Sequence, residues 1–161
     1  MLEKFLLDAL YAAIAAIGFS AISNPPRLAY LFCAIIAATG HSIRFLLMDT
    51  GIVGMSIIPA TAIASFIIGA LAVFLSPLAR IPAETFMFPS LLPMIPGIYM
   101  YRTFGGLAMY LFRNGDDGQA VHYLNIFLNN GFTCMFIILG MVIGGTLPIF
   151  LLKHIAYRAT R

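Results

Sequence analysis

The chain has 161 residues, of which 61% are hydrophobic and only 9% are charged, with a formal net charge of +3 at neutral pH. A soluble domain carries about 25% charged residues, and charges this sparse cannot cover a water-exposed surface, so a soluble fold is excluded. The nine basic residues form no run and no pattern interleaved with aromatics, which excludes a nucleic-acid interface as well.

A helix that crosses a bilayer needs about 20 mostly apolar residues. The acidic and basic side chains leave uninterrupted gaps at 9–26, 28–43, 50–79, 85–101 and 118–152. The predicted fold class is therefore all-α, a polytopic membrane bundle of about five spans forming a single transmembrane domain over 1–161. The first span, 5–22, carries Ala9, Ala12, Ala13, Ala16 and Ser20, small residues that let membrane helices approach closely. It leads straight into further spans with only Lys4 as a basic flank, so it reads as a span and not as a cleaved leader. Asn24-Pro25-Pro26 ends it. The second span, 28–48, contains His41 and Arg44, and Asp49-Thr50-Gly51 reads as the turn that follows. The third, 52–75, tolerates Pro59 near its start, shows a small face at Gly69 and Ala72, and is expected to stop at Ser76-Pro77.

The fourth hydrophobic region, 86–112, is irregular. Pro89, Pro93 and Pro96 are followed by Gly97, and each proline leaves the carbonyl four residues earlier without its helical donor. Backbone freed in this way is tolerated at membrane depth only against protein or a wet cavity, so this span is expected to be broken and to face the interior. Gly105-Gly106 suggests a second bend. Asn114-Gly115-Asp116-Asp117-Gly118 reads as a loop. The last span, 122–152, exceeds the thickness of a bilayer and so starts outside the apolar core or tilts. Gly140 and Gly144 form a GxxxG close-packing pair within it, and Pro148 lies near its end.

Five spans put the termini on opposite sides. Arg27, Arg80, Lys153, Arg158 and Arg161 then share one side, against Lys4, Arg102 and Arg113 on the other, which predicts a cytoplasmic carboxyl terminus.

His41 and Arg44 are three apart and share a helical face, a pairing that suits an anionic substrate at Arg44 beside a titratable imidazole. The alternative is an arginine that snorkels to the interface over a packing histidine. Pro96 and Gly97 can expose backbone to a substrate, as discontinuous helices do in transporters, or can simply kink a helix. Tyr101 and Arg102 suit either a pathway or an interfacial anchor. Asn129 and Asn130, with Asn125, offer amides to a carboxylate or to a neighbouring helix. Asp8 and Glu84, near span ends, are expected to be solvated. Cys33 and Cys134 lie in apolar stretches and suggest neither a disulfide nor a metal site. No nucleophile–base pair, paired intramembrane carboxylates or metal-ligand spacing is visible, so neither an enzyme nor a cofactor is expected.

Several local patterns recur in one order: Gly18-Phe19 and Asn24-x-Pro26, then Gly40-His41-x-x-Arg44 with Leu47-Met48 and Gly51, then Pro93-x-x-Pro96-Gly97 with Tyr101. Together they resemble the small subunit of the threonine/serine exporter family, in its two-component form associated with succinate export. The resemblance implies a secondary exporter of small carboxylates in the bacterial cytoplasmic membrane. It also implies a larger membrane subunit as partner, since this chain ends at Arg161 without the second half found in fused members. Succinate or another dicarboxylate is the first substrate expected, threonine or serine the alternative. A scaffold subunit that assembles a membrane complex while its partner transports is a further alternative. The several small-residue faces leave room for a higher oligomer.

Overall fold

The computed structural model describes residues 2–112 and 117–157. Its helices are α1 (Leu2–Ile22), α2 (Arg27–Met48), α3 (Ile57–Ala79), α4 (Glu84–Leu91), α5 (Gly97–Phe112) and α6 (Asp117–Leu151), with a 3₁₀ turn at Leu92–Met94. No strand occurs among the described residues, and the fold is an all-α membrane bundle. Four helical segments are long and apolar enough to cross a membrane: Glu3–Ile22, Arg27–Met48, Ile57–Ala79 and Gly118–Leu151. The chain forms two compact units. The first takes in α1 through the 3₁₀ turn and the chain from Gly140 onward; the second is Ile95–Leu139.

In the first unit α1 and α2 form a tight antiparallel hairpin. Asn24 closes α1 in the left-handed region (φ 44°), which asparagine tolerates, and Pro25-Pro26 cannot extend the helix. At the far end of α2, Asp49 organises the next turn. Its carboxylate accepts the Gly51 N–H at 2.8 Å, and its carbonyl accepts those of Ile52, Val53 and Gly54. These bonds hold 49–54 out of helix, so α3 begins at Ile57 and not at 52. Pro59 falls in the first turn of α3, where the N–H has no intrahelical partner in any case. At its other end α3 runs through Pro77 to Ala79 instead of stopping at 75, because one proline so close to the terminus removes only a single late bond. Arg80 then caps it in the left-handed conformation (φ 56°), with its N–H on the Ser76 carbonyl.

The interior of this unit is built from small side chains. Ala16, Ala29, Cys33, Ala37, Ala64 and Ala72 are buried alongside Ile36, Ile68, Phe86, Met87 and Met94. Large apolar residues point outward instead, as Leu6, Leu10, Ile14 and Ile17 do along one stripe of α1. That arrangement suits a lipid solvent, in which association comes from close packing and not from hiding apolar surface. The carboxyl-terminal part of α6 crosses α3 at backbone distance. A methyl group at Gly144 would strike the Ser65 hydroxyl and the Ala62 carbonyl, and one at Gly69 would strike the Gly145 carbonyl. Beyond α6 the Tyr157 N–H donates to the Ser76 hydroxyl at 2.9 Å, which joins the ends of α3 and α6.

The fourth hydrophobic region is broken: α4 has 8 residues, the 3₁₀ turn 3 and α5 16. The region begins at Glu84, two residues before the expected 86. In the second unit α5 runs through Gly105-Gly106 as one continuous helix. Gly106 serves to bring α5 against α6, where a Cβ would meet the Phe127 N–H and the Tyr123 carbonyl. α6 starts at Asp117, so Asp117 and Gly118, expected in a loop, belong to its first turn; the helix begins earlier than its apolar pattern suggests. It ends at Leu151, one residue short of the expected 152. The remainder of that loop, 114–116, and Arg113, Arg158 and Arg161 lie outside the described residues.

Candidate functional site

In an antiparallel helical hairpin, residues equidistant from the hinge meet. Asp8 and His41 are equidistant from Asn24-Pro25, and His41 Nδ1 lies 3.2 Å from Asp8 Oδ2. Asp8 is therefore not simply solvated as expected: its side chain is 36% exposed and lies within hydrogen-bond distance of the His41 ring. One turn on, half-buried Arg44 directs Nη2 at the same His41 Nδ1 (3.4 Å) and donates from Nη1 to the Met94 carbonyl (3.4 Å).

The Met94 carbonyl is there because of the prolines. In an unbroken helix it would accept the N–H of Ile98. Instead the chain turns through Ile95 and Pro96, the Gly97 N–H goes to the Ile95 carbonyl at 2.8 Å, and α5 begins anew. The acceptor freed at Met94 meets the arginine. A similar exchange occurs farther along α4, where Pro89 deprives the Thr85 carbonyl of its donor and the Cys33 thiol approaches it at 3.6 Å.

Asp8, Arg44, Phe45, Met48 and Asp49 line an open pocket of about 300 Å³ at this end of the first unit. Arg44 has no carboxylate within ion-pair distance among the described residues, although two carboxylates line the same pocket. The Met94 carbonyl and the His41 ring are the two hydrogen-bonding partners of the guanidinium found among the described residues. Nothing in the site resembles a nucleophile with its base, and no cluster of metal-ligating side chains occurs among the described residues.

Of the residues singled out in the sequence, the structure brings together His41 and Arg44. Pro96, Gly97, Tyr101, Arg102, Asn129 and Asn130 belong to the second unit. There Gly97 opens α5, and Tyr101 and Arg102 are exposed on it. Asn130 donates its amide to the Ile126 carbonyl of its own helix at 2.8 Å, while Asn129 is exposed. Asp8 was missed as a site residue, although the hinge position alone would have paired it with His41.

Residues 8–151 match the family described as Threonine/Serine exporter, ThrE. An uncharacterised protein of Haemophilus influenzae is 34% identical over 144 residues, which cover 89% of this chain and 48% of that relative. The chain thus spans about half the length of this curated relative. No solved structure matches. The family match takes in Asp8, His41, Arg44 and the broken segment within one continuous stretch, and the chain belongs to the threonine/serine exporter family of multi-pass membrane proteins.

Proposed function

We propose that this chain is the small subunit of a two-component secondary exporter of small carboxylates, and that Arg44 is the group that meets the substrate's carboxylate. The observation that carries the proposal is the half-buried guanidinium beside an open pocket, held by neutral acceptors with no carboxylate in bridging distance. A larger membrane subunit completes the transporter. In support, the match takes in 48% of the length of one relative, so that relative carries a further part that this stretch does not match. The reading places the protein in the bacterial cytoplasmic membrane with its carboxyl terminus inside. The Asn24 turn, Arg80 and Tyr157 line one pocket at one end of the first unit, which gathers Arg27, Arg80 and Lys153 toward one side as the positive-inside rule requires. Because α3 and α6 end together there and α6 crosses once, the broken region serves as the fifth crossing.

Succinate, the first substrate expected, needs a second cation, for which Arg102 or a residue of the larger subunit is the candidate, since Asp8 and Asp49 are the other charged residues lining the pocket with Arg44. A second reading has its own support: a zwitterionic amino acid such as threonine or serine sets its carboxylate on Arg44 and its ammonium toward Asp8. Counterflow into proteoliposomes that contain the chain and its co-purified partner, preloaded with succinate or L-threonine, tests both. Uptake of one and not the other assigns the substrate. Uptake of both substrates that is unchanged by Arg44→Ala removes the arginine from the site.

A further inference from the structure

His41 Nδ1 faces two neighbours with opposite demands. Asp8 Oδ2, 3.2 Å away, is an acceptor when ionised, and Arg44 Nη2, 3.4 Å away, is only ever a donor. A ring nitrogen carries either a proton or a lone pair, so it satisfies one neighbour at a time. With a proton on Nδ1, the ring donates to Asp8 and presents a donor to the guanidinium, which keeps only the Met94 carbonyl. With a lone pair there, the ring accepts from Arg44 and turns that lone pair toward the Asp8 carboxylate.

We propose that Asp8 and Arg44 compete for His41 Nδ1, so that a proton at this atom frees Arg44 for a carboxylate in the pocket and substrate and proton bind together. Asp8 is then a positioning residue that acts through His41, and the proposal rests on the reading of Arg44 as the carboxylate anchor. The proton comes from water in the open pocket, joins the Nε2–H that the ring already carries to make an imidazolium, and returns to water when the carboxylate leaves, whereas a mere shift of tautomer would take up no proton. By linkage, whatever the proton adds to carboxylate affinity the carboxylate adds to proton affinity.

Asp8 and Arg44 are the side chains found bonded to the ring among the described residues. On α1, Glu3, Lys4 and Tyr11 are exposed, and Asp49 at the end of α2 lines the pocket. Tyr30 and Cys33 lie two or more turns back along α2, and α3 has no ionisable side chain. The segment after α4 contributes the Pro93 and Met94 carbonyls, while Glu84 sits with Arg80 in the pocket at the opposite end of the hairpin.

Imidazole ¹⁵N spectra of the full chain in lipid nanodiscs test the competition without ligand, with His41 assigned by the signals lost in His41→Gln. Arg44→Gln should move the Nδ1 signal toward its protonated position and Asp8→Ala toward its unprotonated one. If neither substitution moves it, the competition is overturned. Calorimetry with succinate and L-threonine in buffers of different ionisation enthalpy then tests the coupling. Proton uptake on binding, absent in His41→Gln, is the expected result. Binding that depends on Arg44 but takes up no proton overturns the coupling and leaves the carboxylate site standing. Failure of both compounds to bind the chain with its co-purified partner overturns the carboxylate site, and the coupling with it.

Discussion

Helices α2 and α3 pack against each other in the first unit yet are built on different terms. α3 carries no Asp, Glu, Lys, Arg or His, and its buried face runs through Ala60, Ala64, Ser65, Gly69 and Ala72. α2 places His41 and Arg44 toward its carboxyl-terminal end, where ionisable side chains in a spanning helix carry a cost of insertion. On the reading proposed above, such residues are kept for what they bind. A helix that avoids them, and narrows itself where it is crossed, is made for packing. One unit thus separates the work of holding the fold from the work proposed for Arg44.

Substitutions on the two helices should therefore fail in different ways. The largest effect belongs to the crossing of α3 and α6. Gly144→Leu drives a side chain into the Ser65 hydroxyl and the Ala62 carbonyl, and the backbone carbonyl cannot move aside cheaply. A loss of about 3 kcal/mol or more is expected, read as failure to purify a monodisperse protein or as a collapse of its thermal midpoint in detergent. Arg44→Gln comes next and should separate the two roles. Transport falls about 10- to 100-fold, the worth of a hydrogen bond to a charged group, while the thermal midpoint barely changes. If the midpoint collapses as it does for Gly144→Leu, the contrast between the helices is broken.

Asp8→Ala sharpens the comparison within the site. Simple charge counting makes the variant bind an anion more tightly, because a carboxylate has gone. The competition at His41 Nδ1 gives the opposite sign: binding about fivefold weaker at neutral pH, the equivalent of about 1 kcal/mol. Lower pH should recover it by supplying the proton that Asp8 had favoured, and an affinity profile against pH distinguishes the two. The smallest effect is at Asn130, whose amide is already bonded to the Ile126 carbonyl of its own helix. Asn130→Ala should change stability by less than about 0.5 kcal/mol and leave transport intact.

Some of these features were legible residue by residue and some were not. Pro89, Pro93 and Pro96 announce a broken helix because a missing N–H acts on its own turn, whatever surrounds it. Gly105-Gly106 reads as a bend by the same local logic, yet the helix is continuous there and Gly106 serves the close approach of α6. Asp49 bound its own turn so firmly that the following helix starts later than its apolar pattern suggests. Asp8 looked like a solvated end residue because its partner lies 33 positions away across the hinge.

The sequence by itself determined that this is a helical membrane protein, roughly where its helices run and where one of them breaks. Those properties follow from hydropathy, charge spacing and proline, all of which act over a turn or two. Only the tertiary structure decided that Arg44 would find the Met94 carbonyl and share a nitrogen with Asp8, and that Gly69 and Gly144 would be spent on a crossing with α3 and α6. Those outcomes depend on how far one helix lies from another, and spacing along a single chain does not contain that distance.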